Sequence, residues 1–462
     1  MRRLGPAAIA LVSLALASGA AADVASDSLV HADAARALGY TGLGVTVAML
    51  DTGVDDHVRL ENVVAEHCIV PPDGCPDGTG EQDGPGSAQD DHGHGTQIAD
   101  ILAGSGAIGP VGTAPGVSLV VVKVADRNGR TSAGQIAAGL DWVRTHHPEA
   151  RIVNVSLSGD IPLSTECSSL SASLHAYASS VDALRAQGTL VFAATGNNGA
   201  TNGIPAPACF HSSVAVGAVY SRSFGAFLAP VICRDATTAP DKVACFSNTS
   251  SELDLFAVGA PVDAIGLGGA DAPLAGTSAA AAQASGAAAL LLQANPTLTA
   301  DALVALLQTT GTPITDARSK RTTPRIDVAA ALGTLLGHAI PLPPLLETPP
   351  VAPPPLAVAS VPEVGVSATQ LSFGSVKPAR TVRRTLVVRN TGSGFLTVRA
   401  SASLRTVSAL PAKVTVPAGG RRSITVAFRP THTGRYRGQV RLRTDDPARP
   451  TVVVAVSGAC AA

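Results

Sequence analysis

Four short apolar runs, spaced by stretches of helical length, place the tightest constraint on how this chain of 462 residues folds. The runs are rich in Val, Ile and Ala, and neither of their faces is polar, which indicates strands buried on both sides. They span residues 45–50, 118–124, 152–157 and 190–195. Residues 132–147 and 170–187 have the length and periodicity of helices. Strands that alternate with helices predict a parallel sheet covered by helices on both faces, with ligands at the carboxyl ends of its strands.

A proline-dense segment at 338–363 separates this region from one with a different pattern. Its composition predicts an extended, semi-rigid linker. From 364 to 462, apolar residues recur at every second position, as in SITVAFRP and TVVVAVSG, between turns rich in Gly, Pro and Asn. Six or seven short strands of this kind predict a small antiparallel β-sandwich. The predicted organisation is a leader at 1–22, an α/β domain at 23–337, the linker and an all-β domain at 364–462.

The two regions carry opposite charge, although the net charge of the whole chain is -1. From Gly365 onward there are 14 Arg and 2 Lys against 2 Asp, a net charge of +14. Residues 23–363 hold 15 basic and 32 acidic side chains, a net charge of -17. The overall balance argues against a protein that binds nucleic acid by neutralising phosphates along its whole length. A hydrophobic fraction of 46% with 46 Gly and 33 Pro excludes a disordered tail, a collagen and a coiled coil.

The first 22 residues have the pattern of a secretory signal peptide. Two arginines precede an apolar stretch from Ala7 to Ala17, and small residues lead up to Asp23. An uncleaved N-terminal anchor is the alternative. The stretch is shorter than the ~20 residues that a membrane span needs, which argues against this alternative. A second apolar stretch, 279–292, is interrupted by polar residues and fits a buried helix better than a span. We expect a protein that is secreted, or that lies in the periplasm or at the cell surface, after cleavage.

Six of the seven cysteines lie between Cys68 and Cys245, and Cys460 stands alone near the C-terminus. This usage fits disulfides in an oxidising compartment. A metal site is the alternative, but the chain contains no CxxC spacing. Six thiols allow fifteen connectivities, and the sequence does not choose among them. We predict that sequence neighbours pair, as Cys68 with Cys75, Cys167 with Cys209 and Cys233 with Cys245.

Three polar residues stand where a parallel-sheet enzyme needs them, in the chain order Asp, His, Ser. Asp51 directly follows an apolar run in LDTGVD, and His94 lies in DDHGHGTQIADILAG, where glycines precede a helical pattern. Ser278 stands at the head of an alanine-rich helical segment in LAGTSAAAAQASGAAALLL. A serine hydroxyl becomes a useful nucleophile when a histidine takes its proton and a carboxylate orients that histidine. Taken singly, each motif also fits an ordinary turn or a capped helix.

The ordered motifs DTG, HGT and GTS resemble those of the subtilisin-like (subtilase) serine peptidases. Four further segments support the resemblance: GTAPG at 112–116, NVSLSG at 154–159, AATGNNG at 193–199 and CFSNTSSELDLFAVG at 245–259. The resemblance covers roughly residues 30–335. It implies that 23–337 is a subtilisin-like α/β peptidase domain, with a parallel sheet and helices on both faces. It also implies hydrolysis of peptide bonds without an obligatory cofactor.

The resemblance implies catalytic roles for three residues. Ser278 would be the nucleophile, His94 its general base, and Asp51 the carboxylate that holds the tautomer of the imidazole and stabilises its charged form. Asn197, in AATGNNG, would donate its side-chain amide to the oxyanion of the tetrahedral intermediate. The Ser278 amide, at a helix start, would be the second donor. Activity is then expected to rise as His94 loses its proton, near its ordinary pKa of ~6.5.

The same resemblance assigns substrate binding to Ser156, Leu157 and Ser158, which would pair with the extended backbone of a peptide. Residues 193–196 would form part of the wall of the pocket for the residue before the cut bond. Their small side chains predict an open pocket with a broad or apolar preference. One departure from the family is Ala282, which replaces a proline, and we expect it to change entry into the helix rather than the chemistry.

Two segments raise the question of metals. His92 and His94 lie next to acidic residues, but zinc needs a third ligand, and His94 is the histidine followed by Gly-Thr. The loop at 71–91 is rich in Asp and Gly, as calcium-binding loops of relatives often are, but it lacks the EF-hand spacing. A solvated acidic loop is the preferred interpretation. We therefore assign no metal ligand, and structural calcium is not indicated.

The C-terminal region resembles the immunoglobulin-like Hydin/ASPM-type modules of bacterial exported proteins. The segments that carry this resemblance include LSFGSV, VVRNTGSGFLTV and GRYRGQVRLRT, and it covers about 364–460. The resemblance implies an immunoglobulin-like β-sandwich. Its charge would attach the protein to an anionic cell-surface polymer or dock the module onto the acidic domain. An arginine-rich face that is merely solvated is the alternative.

These observations predict an exported serine endopeptidase that cleaves proteins or peptides, with no nucleic-acid partner expected. One alternative is a catalytically inactive peptidase fold that serves adhesion or binding. Another is a maturation protease of narrow specificity. The sequence predicts neither the natural substrate nor the oligomeric state.

Overall fold

In the computed structural model the chain falls into two units, residues 1–350 and 351–462, and each is described by itself. The residues described are 7–8, 23–55, 60, 62–107, 109–159, 161–229, 233–343, 363–391, 396–416, 420–444, 446 and 449–461. The predicted signal peptide lies outside these residues apart from 7–8. The predicted linker lies outside them apart from 338–343 and 363.

The strands of the first unit form one large sheet and two short ribbons. They are β1 (Ala7–Ala8), β2 (Thr46–Asp51), β3 (Val63–Ile69), β4 (Glu81–Asp83), β5 (Ser118–Lys123), β6 (Arg130–Thr131), β7 (Ala150–Val155), β8 (Leu190–Ala194), β9 (Ser213–Tyr220), β10 (Phe227–Ala229), β11 (Cys233–Asp235), β12 (Leu255–Ala260), β13 (Thr312–Thr315) and β14 (Thr322–Arg325). The large sheet has the order β13-β14-β12-β9-β8-β7-β2-β5-β3-β4. Its strands pair in parallel except for the two edge pairs, β13–β14 and β3–β4. The ribbons are β1–β6 and β10–β11.

Helices cover both faces of this sheet because its strands are apolar on both sides. The helices are α1 (Asp23–Leu29), α2 (Ala32–Ala37), α3 (His94–Ala103), α4 (Ala133–His146), α5 (Ala172–Ala186), α6 (Thr277–Ala294), α7 (Ala300–Thr310) and α8 (Val328–Leu336). In β2, Val47 and Met49 join a core with α3, α6 and α8. Ala48 and Leu50, on the other side of the same strand, join a core with α4 and α5. This architecture confirms the predicted α/β fold.

The strands and helices predicted for the first unit are present, with ends that differ by at most two residues. Ser132 caps α4 and Ser171 caps α5, and each hydroxyl accepts a backbone N–H of the first turn, which satisfies a donor that the helix leaves free. The alanine-rich helix α6 is buried along most of its length, as predicted for 279–292. Among the residues that the structure describes, no helix is both long enough and apolar enough to cross a membrane.

The three disulfides join the predicted sequence neighbours. They are Cys68–Cys75, Cys167–Cys209 and Cys233–Cys245. Cys460 is a free thiol and is buried. All three disulfides lie in the first unit, and their cysteines are 7, 42 and 12 residues apart in the sequence.

The second unit consists of two sheets that share one apolar core. Its described strands are β15 (Val364–Val366), β16 (Gln370–Val376), β17 (Val382–Asn390), β18 (Leu396–Ala402), β19 (Val407–Leu410), β20 (Lys413–Val416), β21 (Arg421–Phe428), β22 (Gly434–Thr444) and β23 (Thr451–Cys460). The sheets have the orders β15-β17-β21-β19 and β16-β23-β22-β18-β20. This confirms a sandwich but corrects two details of the prediction. The described residues hold nine strands rather than six or seven, and β16 runs parallel to β23.

Candidate active site

Asp51 ends β2 at the carboxyl edge of the parallel sheet, and its side chain is fully buried. Its backbone carbonyl accepts the N–H of Val124, and its Oδ1 accepts the N–H of Thr52 at 2.8 Å. Gly53 follows with a φ of 111°, in the left-handed region that favours glycine. A Cβ at this position would overlap the Ala88 carbonyl. The DTG motif is therefore a tight exit from the sheet that fixes the direction of the carboxylate.

His94 begins α3 and faces Asp51. Its Nδ1 lies 2.7 Å from Asp51 Oδ1, and the two side chains are 2% and 0% exposed. The Thr52 hydroxyl accepts the Gly95 N–H at 2.8 Å, which ties the start of the helix to the end of the strand. We assign a proton to Nδ1, because the carboxylate can only accept. Nε2 is buried and has no hydrogen-bond partner among the described residues.

The surroundings of His94 raise the pKa of its imidazole above the ordinary value of 6.5. Burial opposes the charged form and would lower this pKa. The charge of Asp51 and its hydrogen bond favour the charged form, as does the charge of Asp90, and together they outweigh burial. The imidazole is therefore a stronger base than a free histidine.

Ser278 is the second residue of α6 and is 7% exposed. Its hydroxyl donates to the Ser156 carbonyl at 3.0 Å, and the Ser156 hydroxyl donates to the Ser278 carbonyl at 2.9 Å. These two bonds join the start of α6 to the residue that follows β7. In this structure the Ser278 hydroxyl is thus directed to Ser156, and it makes no hydrogen bond to His94.

Asn197 follows β8 and lies against the start of α6. Its Oδ1 accepts the N–H of Thr277 at 2.9 Å and the Thr277 hydroxyl at 3.0 Å. These bonds leave the amide Nδ2 as the donor end of the side chain. A Cβ placed on Gly276 would lie 3.3 Å from this Nδ2 and 3.7 Å from the Ser278 nitrogen. Both nitrogens therefore border the small space beside Gly276.

The predicted substrate-binding segments lie at the ends of the two neighbouring strands. Ser156, Leu157 and Ser158 directly follow β7, with Leu157 fully buried and Ser158 half-buried. Residues 193–196 form the end of β8 and the turn after it, and all four are buried. Since β7 and β8 are adjacent parallel strands, both segments lie at the carboxyl edge of the sheet, as Asp51 does.

Lys123 is a residue near this site that the sequence did not single out. Its side chain is 1% exposed, and Nζ donates to the Thr52 carbonyl at 2.6 Å and to Asp91 Oδ1 at 2.7 Å. A buried ammonium must be paired and hydrogen-bonded, and here it holds the residue that follows Asp51. In the sequence, the feature that points to Lys123 is a single charge at the end of an otherwise apolar strand.

Asp90 is a second residue that sequence reasoning passed over. Burial would raise the pKa of this carboxyl group, but the N–H of Gly93, the hydroxyl of Thr96 and the N–H of His92 bind the charged form and lower it. The hydroxyl of Thr96 lies 2.7 Å from Asp90 Oδ2. Asp90 thus ties the turn before His94 to the first turn of α3.

Gln283 directly follows Ala282, the residue that departs from the family pattern. Its Oε1 accepts the Val258 N–H at 2.9 Å, and its Nε2 donates to Asp27 Oδ1 at 3.2 Å. Asp27 Oδ2 also accepts a hydrogen bond from Arg36 Nη1 at 2.6 Å. Gln283 therefore lies on the core side of α6, where it connects β12 to the N-terminal helix α1.

The two segments considered for metal binding are the one that contains His92 and the acidic loop at 71–91. His92 Nδ1 accepts the backbone N–H of His94 at 3.3 Å. The acidic loop contains the short strand β4, whose Asp83 lies 3.0 Å from Nδ1 of His67. Across the described residues, no three His, Cys, Asp or Glu side chains are grouped as a metal site would need.

A doubly covered parallel sheet, with Asp, His and Ser in that chain order at its carboxyl edge, defines the class of serine-type peptidases with a subtilisin-like fold. Comparison with known proteins is more specific. The model of the "Subtilase family" matches residues 42–327. The chain belongs to the subtilase family, and it is a serine-type endopeptidase.

Two relatives and one solved structure illustrate the match. Subtilisin BL of Lederbergia lenta is 34% identical over 270 residues, which are 58% of this chain and 84% of that protein. Subtilisin E of Bacillus subtilis (strain 168) is 32% identical over 276 residues, 59% of this chain and 61% of that protein. The fold is similar to that of a solved protease from Pseudoalteromonas arctica PAMC 21717, with a TM-score of 0.53 and 24% identity, covering 66% of this chain and 94% of the other.

The second unit has its own match. The model of the "HYDIN/CFA65/VesB-like, Ig-like domain" covers residues 362–459. The two-sheet architecture of this unit is consistent with the match, and we refer to it as the immunoglobulin-like unit.

Proposed function

We propose that this protein is an exported endopeptidase that cleaves proteins through an acyl-enzyme on Ser278. The observation that carries the proposal is the 2.7 Å contact between Asp51 and the buried His94 at the sheet edge where α6 begins. A carboxylate that holds one imidazole nitrogen leaves the other free to take a proton. His94 Nε2 is buried without a described partner, which is the condition that a general base needs before substrate arrives.

The reaction begins when the Ser278 hydroxyl turns from the Ser156 carbonyl toward His94 Nε2. His94 takes the proton while Oγ bonds to the carbonyl carbon of the substrate, and the electron pair of that C=O moves onto its oxygen. When the tetrahedral intermediate collapses, the C–N bond breaks and His94 delivers its proton to the leaving amine. Water then attacks the acyl-enzyme by the same route and releases Ser278.

Two donors stabilise the oxyanion of the intermediate. They are the Asn197 side-chain amide and the Ser278 N–H, whose nitrogens both border the space beside Gly276. Donors that are already in place cost no reorganisation when the charge develops. The Ser278 N–H also lies in the first turn of α6, where the helix dipole favours a negative charge.

The substrate binds as an extended strand along Ser156, Leu157 and Ser158, and its main chain supplies the hydrogen bonds. The residue before the cut bond enters the space walled by residues 193–196, which carry small side chains. This arrangement favours broad or apolar preference at that position. A peptide library that showed strict preference for a charged residue there would contradict the assignment.

A fluorophosphonate, which bonds covalently to an activated serine, tests the site directly. Intact mass spectrometry should show one adduct on the wild-type protein and none on Ser278→Ala. Ser285→Ala is the matched control, since Ser285 lies on the same helix and its buried hydroxyl donates to the Ala281 carbonyl at 2.8 Å. That variant should still take the label.

The alternatives predict different results. A folded protein that takes no label would favour a binding or adhesion protein built on an inactive peptidase fold. A labelled protein that leaves casein and other general substrates intact would favour a maturation protease of narrow specificity.

We further propose that residues 1–22 direct export and are removed, which leaves a mature chain that begins at Asp23. The mature protein then consists of a peptidase domain to residue 337, a linker at 338–363 and a basic module at 364–462. N-terminal sequencing of the protein recovered outside the cell tests the cleavage point. A chain that keeps its first residues and sediments with membranes would support an anchor instead.

The charge of the module supports attachment to an anionic polymer of the cell surface. Retention on such material should fall as salt rises, because counterions screen exposed charges. A chain truncated before residue 364 should be released at every salt concentration. Equal retention after truncation would contradict the attachment.

A further inference from the structure

The larger sheet of the immunoglobulin-like unit carries most of its cations on one face. Successive residues of a strand point to opposite sides, and Val440 and Leu442 of β22 are fully buried in the core. The odd-numbered residues of β22 therefore form the outer face, as do those paired with them on β18, β20 and β23. Six exposed cations lie on this face, which we call the basic face: Arg399, Lys413, Arg435, Arg437, Arg441 and Arg443.

The pairing of the strands places three of these cations in one row. Arg399 of β18 is directly opposite Lys413 of β20 on one side and Arg443 of β22 on the other. Like charges at directly opposite positions of a sheet destabilise it. No acidic side chain of the described residues forms an ion pair with any of the six. The unit therefore carries an electrostatic cost that an anion from outside would remove.

The spacing of the cations indicates the shape of that anion. Arg435 and Arg437 lie two residues apart on β22, as do Arg441 and Arg443, so that the charges of each pair are roughly 6.6 Å apart along the strand. Gln439 stands between the two pairs, which are separated by about 13 Å. On β23, the small residues Ser457 and Ala455 lie opposite Arg437 and Gln439 of β22. A face with charges spread along the length of a strand fits a linear polymer better than a compact ion.

The residue types indicate the chemistry of the polymer. Five of the six cations are arginines, whose planar guanidinium matches phosphate oxygens with two parallel hydrogen bonds. The described outer face contains no aromatic ring on which a nucleic-acid base could stack. Phe428 and Tyr436, which contact each other, lie on the inner side of their sheets. The face also lacks the apolar band that would enter a membrane.

We propose that the basic face binds a linear phosphate polymer without stacked bases, such as a phosphodiester-linked polyol chain of a cell envelope. The proposal rests on the attachment function proposed above and names both the surface and the chemistry of its partner. The polymer lies along β22, and its phosphates bridge the arginines of that strand and the row that ends at Lys413.

The other sheet supplies a matched comparison. Its outer face carries Arg383, Arg389 and Arg421, which are equally exposed. Arg389 and Arg421 are opposite each other, but Arg383 is opposite Ala427, several residues away along the strands. The strands of this face thus carry half as many cations without a continuous row, although Arg405 and Arg429, outside the strands, line a cavity together with Arg383.

The test measures the binding of inorganic polyphosphate to the full chain, in a Ser278→Ala background to prevent self-digestion. One variant combines Arg399→Gln, Arg441→Gln and Arg443→Gln. The control combines Arg383→Gln, Arg389→Gln and Arg421→Gln and removes the same charge. The first variant should weaken binding at least tenfold and reduce the slope of log K against log salt by about 2 to 3, since each phosphate contact contributes ~0.7–0.9. The control should change affinity less than threefold.

The other outcomes have separate meanings. Equal losses in both variants would overturn the basic face but leave attachment by overall charge intact. No binding of polyphosphate by the parent protein would overturn both proposals. Equally tight binding of polygalacturonate, single-stranded DNA or anionic phospholipid vesicles would overturn the phosphate assignment. A variant with lysines at Arg399, Arg441 and Arg443 keeps the charge, so intermediate binding by it would support paired hydrogen bonds. Circular dichroism checks that each variant is folded.

Discussion

The two units of this chain use charged side chains in opposite ways. In the peptidase unit, two buried cations and one half-buried cation have partners: Lys123 with Asp91, Arg325 with Asp241 and Arg36 with Asp27 lie within 2.6–2.7 Å. In the immunoglobulin-like unit, the cations of the basic face are exposed, and they form no ion pair among the described residues. The first arrangement fixes the positions of chain segments, whereas the second presents charge to the surroundings.

The difference follows from the free energy of desolvation. A charge taken out of water is tolerated when its partner and its hydrogen bonds are in place, so each buried pair holds its segments in one geometry. An exposed charge loses little hydration and gains little from a neighbour on the same surface. It remains available for a ligand. The comparison therefore predicts large effects on stability in the first unit and small ones in the second.

Arg325→Ala should give the largest effect. Arg325 is 3% exposed, and its guanidinium donates to Asp241 at 2.7 Å and to the Leu29 carbonyl at 2.6 Å. The loss of these charge-assisted hydrogen bonds, worth about 1.5–3 kcal/mol each, should lower the free energy of unfolding by about 3 kcal/mol, measurable by urea denaturation. Arg441→Ala, in the basic face, should stay within about 0.5 kcal/mol. Equal losses from the two substitutions would show that buried and exposed cations contribute equally to stability.

Asn197→Ala should lower kcat by roughly 10²–10³, which corresponds to about 2.7–4 kcal/mol of transition-state stabilisation. KM should change little, because the amide acts on the charge that develops in the transition state. The measurement is hydrolysis of a chromogenic peptide. Arg437→Ala should leave the same kinetics unchanged. A rise in KM with unchanged kcat in Asn197→Ala would show instead that this residue contributes to ground-state binding.

The pH dependence of kcat/KM should report the environment of His94. Because Asp51 and Asp90 raise the pKa of this imidazole above 6.5, the neutral base should form at a pH above that value. Below the pKa, activity should fall about tenfold per pH unit. A midpoint below pH 6.5, or a flat rate between pH 5 and 9, would contradict the role of His94.

Asp254→Asn should stabilise the peptidase unit at alkaline pH. Burial raises the pKa of Asp254 from 3.8 to about 6. A carboxyl group whose pKa is raised in the folded state stabilises it below pH 3.8, and this contribution is lost as the pH rises through 6. The free energy of unfolding of Asp254→Asn, relative to that of the wild type, should therefore rise by about 1–2 kcal/mol as the pH increases from 4 to 8. Asp73→Asn, at an exposed position, should show no such change.

Arg399→Glu should give the smallest effect and one of opposite sign to most substitutions. It places a carboxylate between Lys413 and Arg443 and converts two repulsive pairs into attractive ones. We expect about 0.2–1 kcal/mol of stabilisation for the immunoglobulin-like unit at low salt, measured by its thermal transition. The gain should vanish in high salt. Destabilisation at low salt would show that the row is not repulsive in the native protein.

The sequence predicted the parts of the fold that have an unbroken pattern. Apolar runs of six or seven residues predicted β2, β5, β7 and β8, because a strand buried on both faces needs no polar alternation. Strands with glycine or proline were missed. Gly217 in β9 makes room for Phe256 and Gly259 in β12 makes room for Ala218, and a strand glycine weakens the local signal. The edge strand β13 and its neighbour β14 each contain a proline.

The motifs identified the candidate residues but not every contact among them. Asp51 and His94 are 43 residues apart, and the edge of a parallel sheet brings them together as expected. The direction of the Ser278 hydroxyl toward Ser156 is a choice between rotamers, which depends on neighbours that no motif specifies. Lys123 was overlooked for a similar reason, since its two acceptors come from other parts of the chain.

In the immunoglobulin-like unit, β23 hydrogen-bonds to both β16 and β22, so the strand that is synthesised last occupies an interior place in its sheet. A growing chain can pair β22 with β18 early, but β16 has no neighbour in its sheet until residues 451–460 emerge. The module therefore completes its fold only after almost all of it has been made.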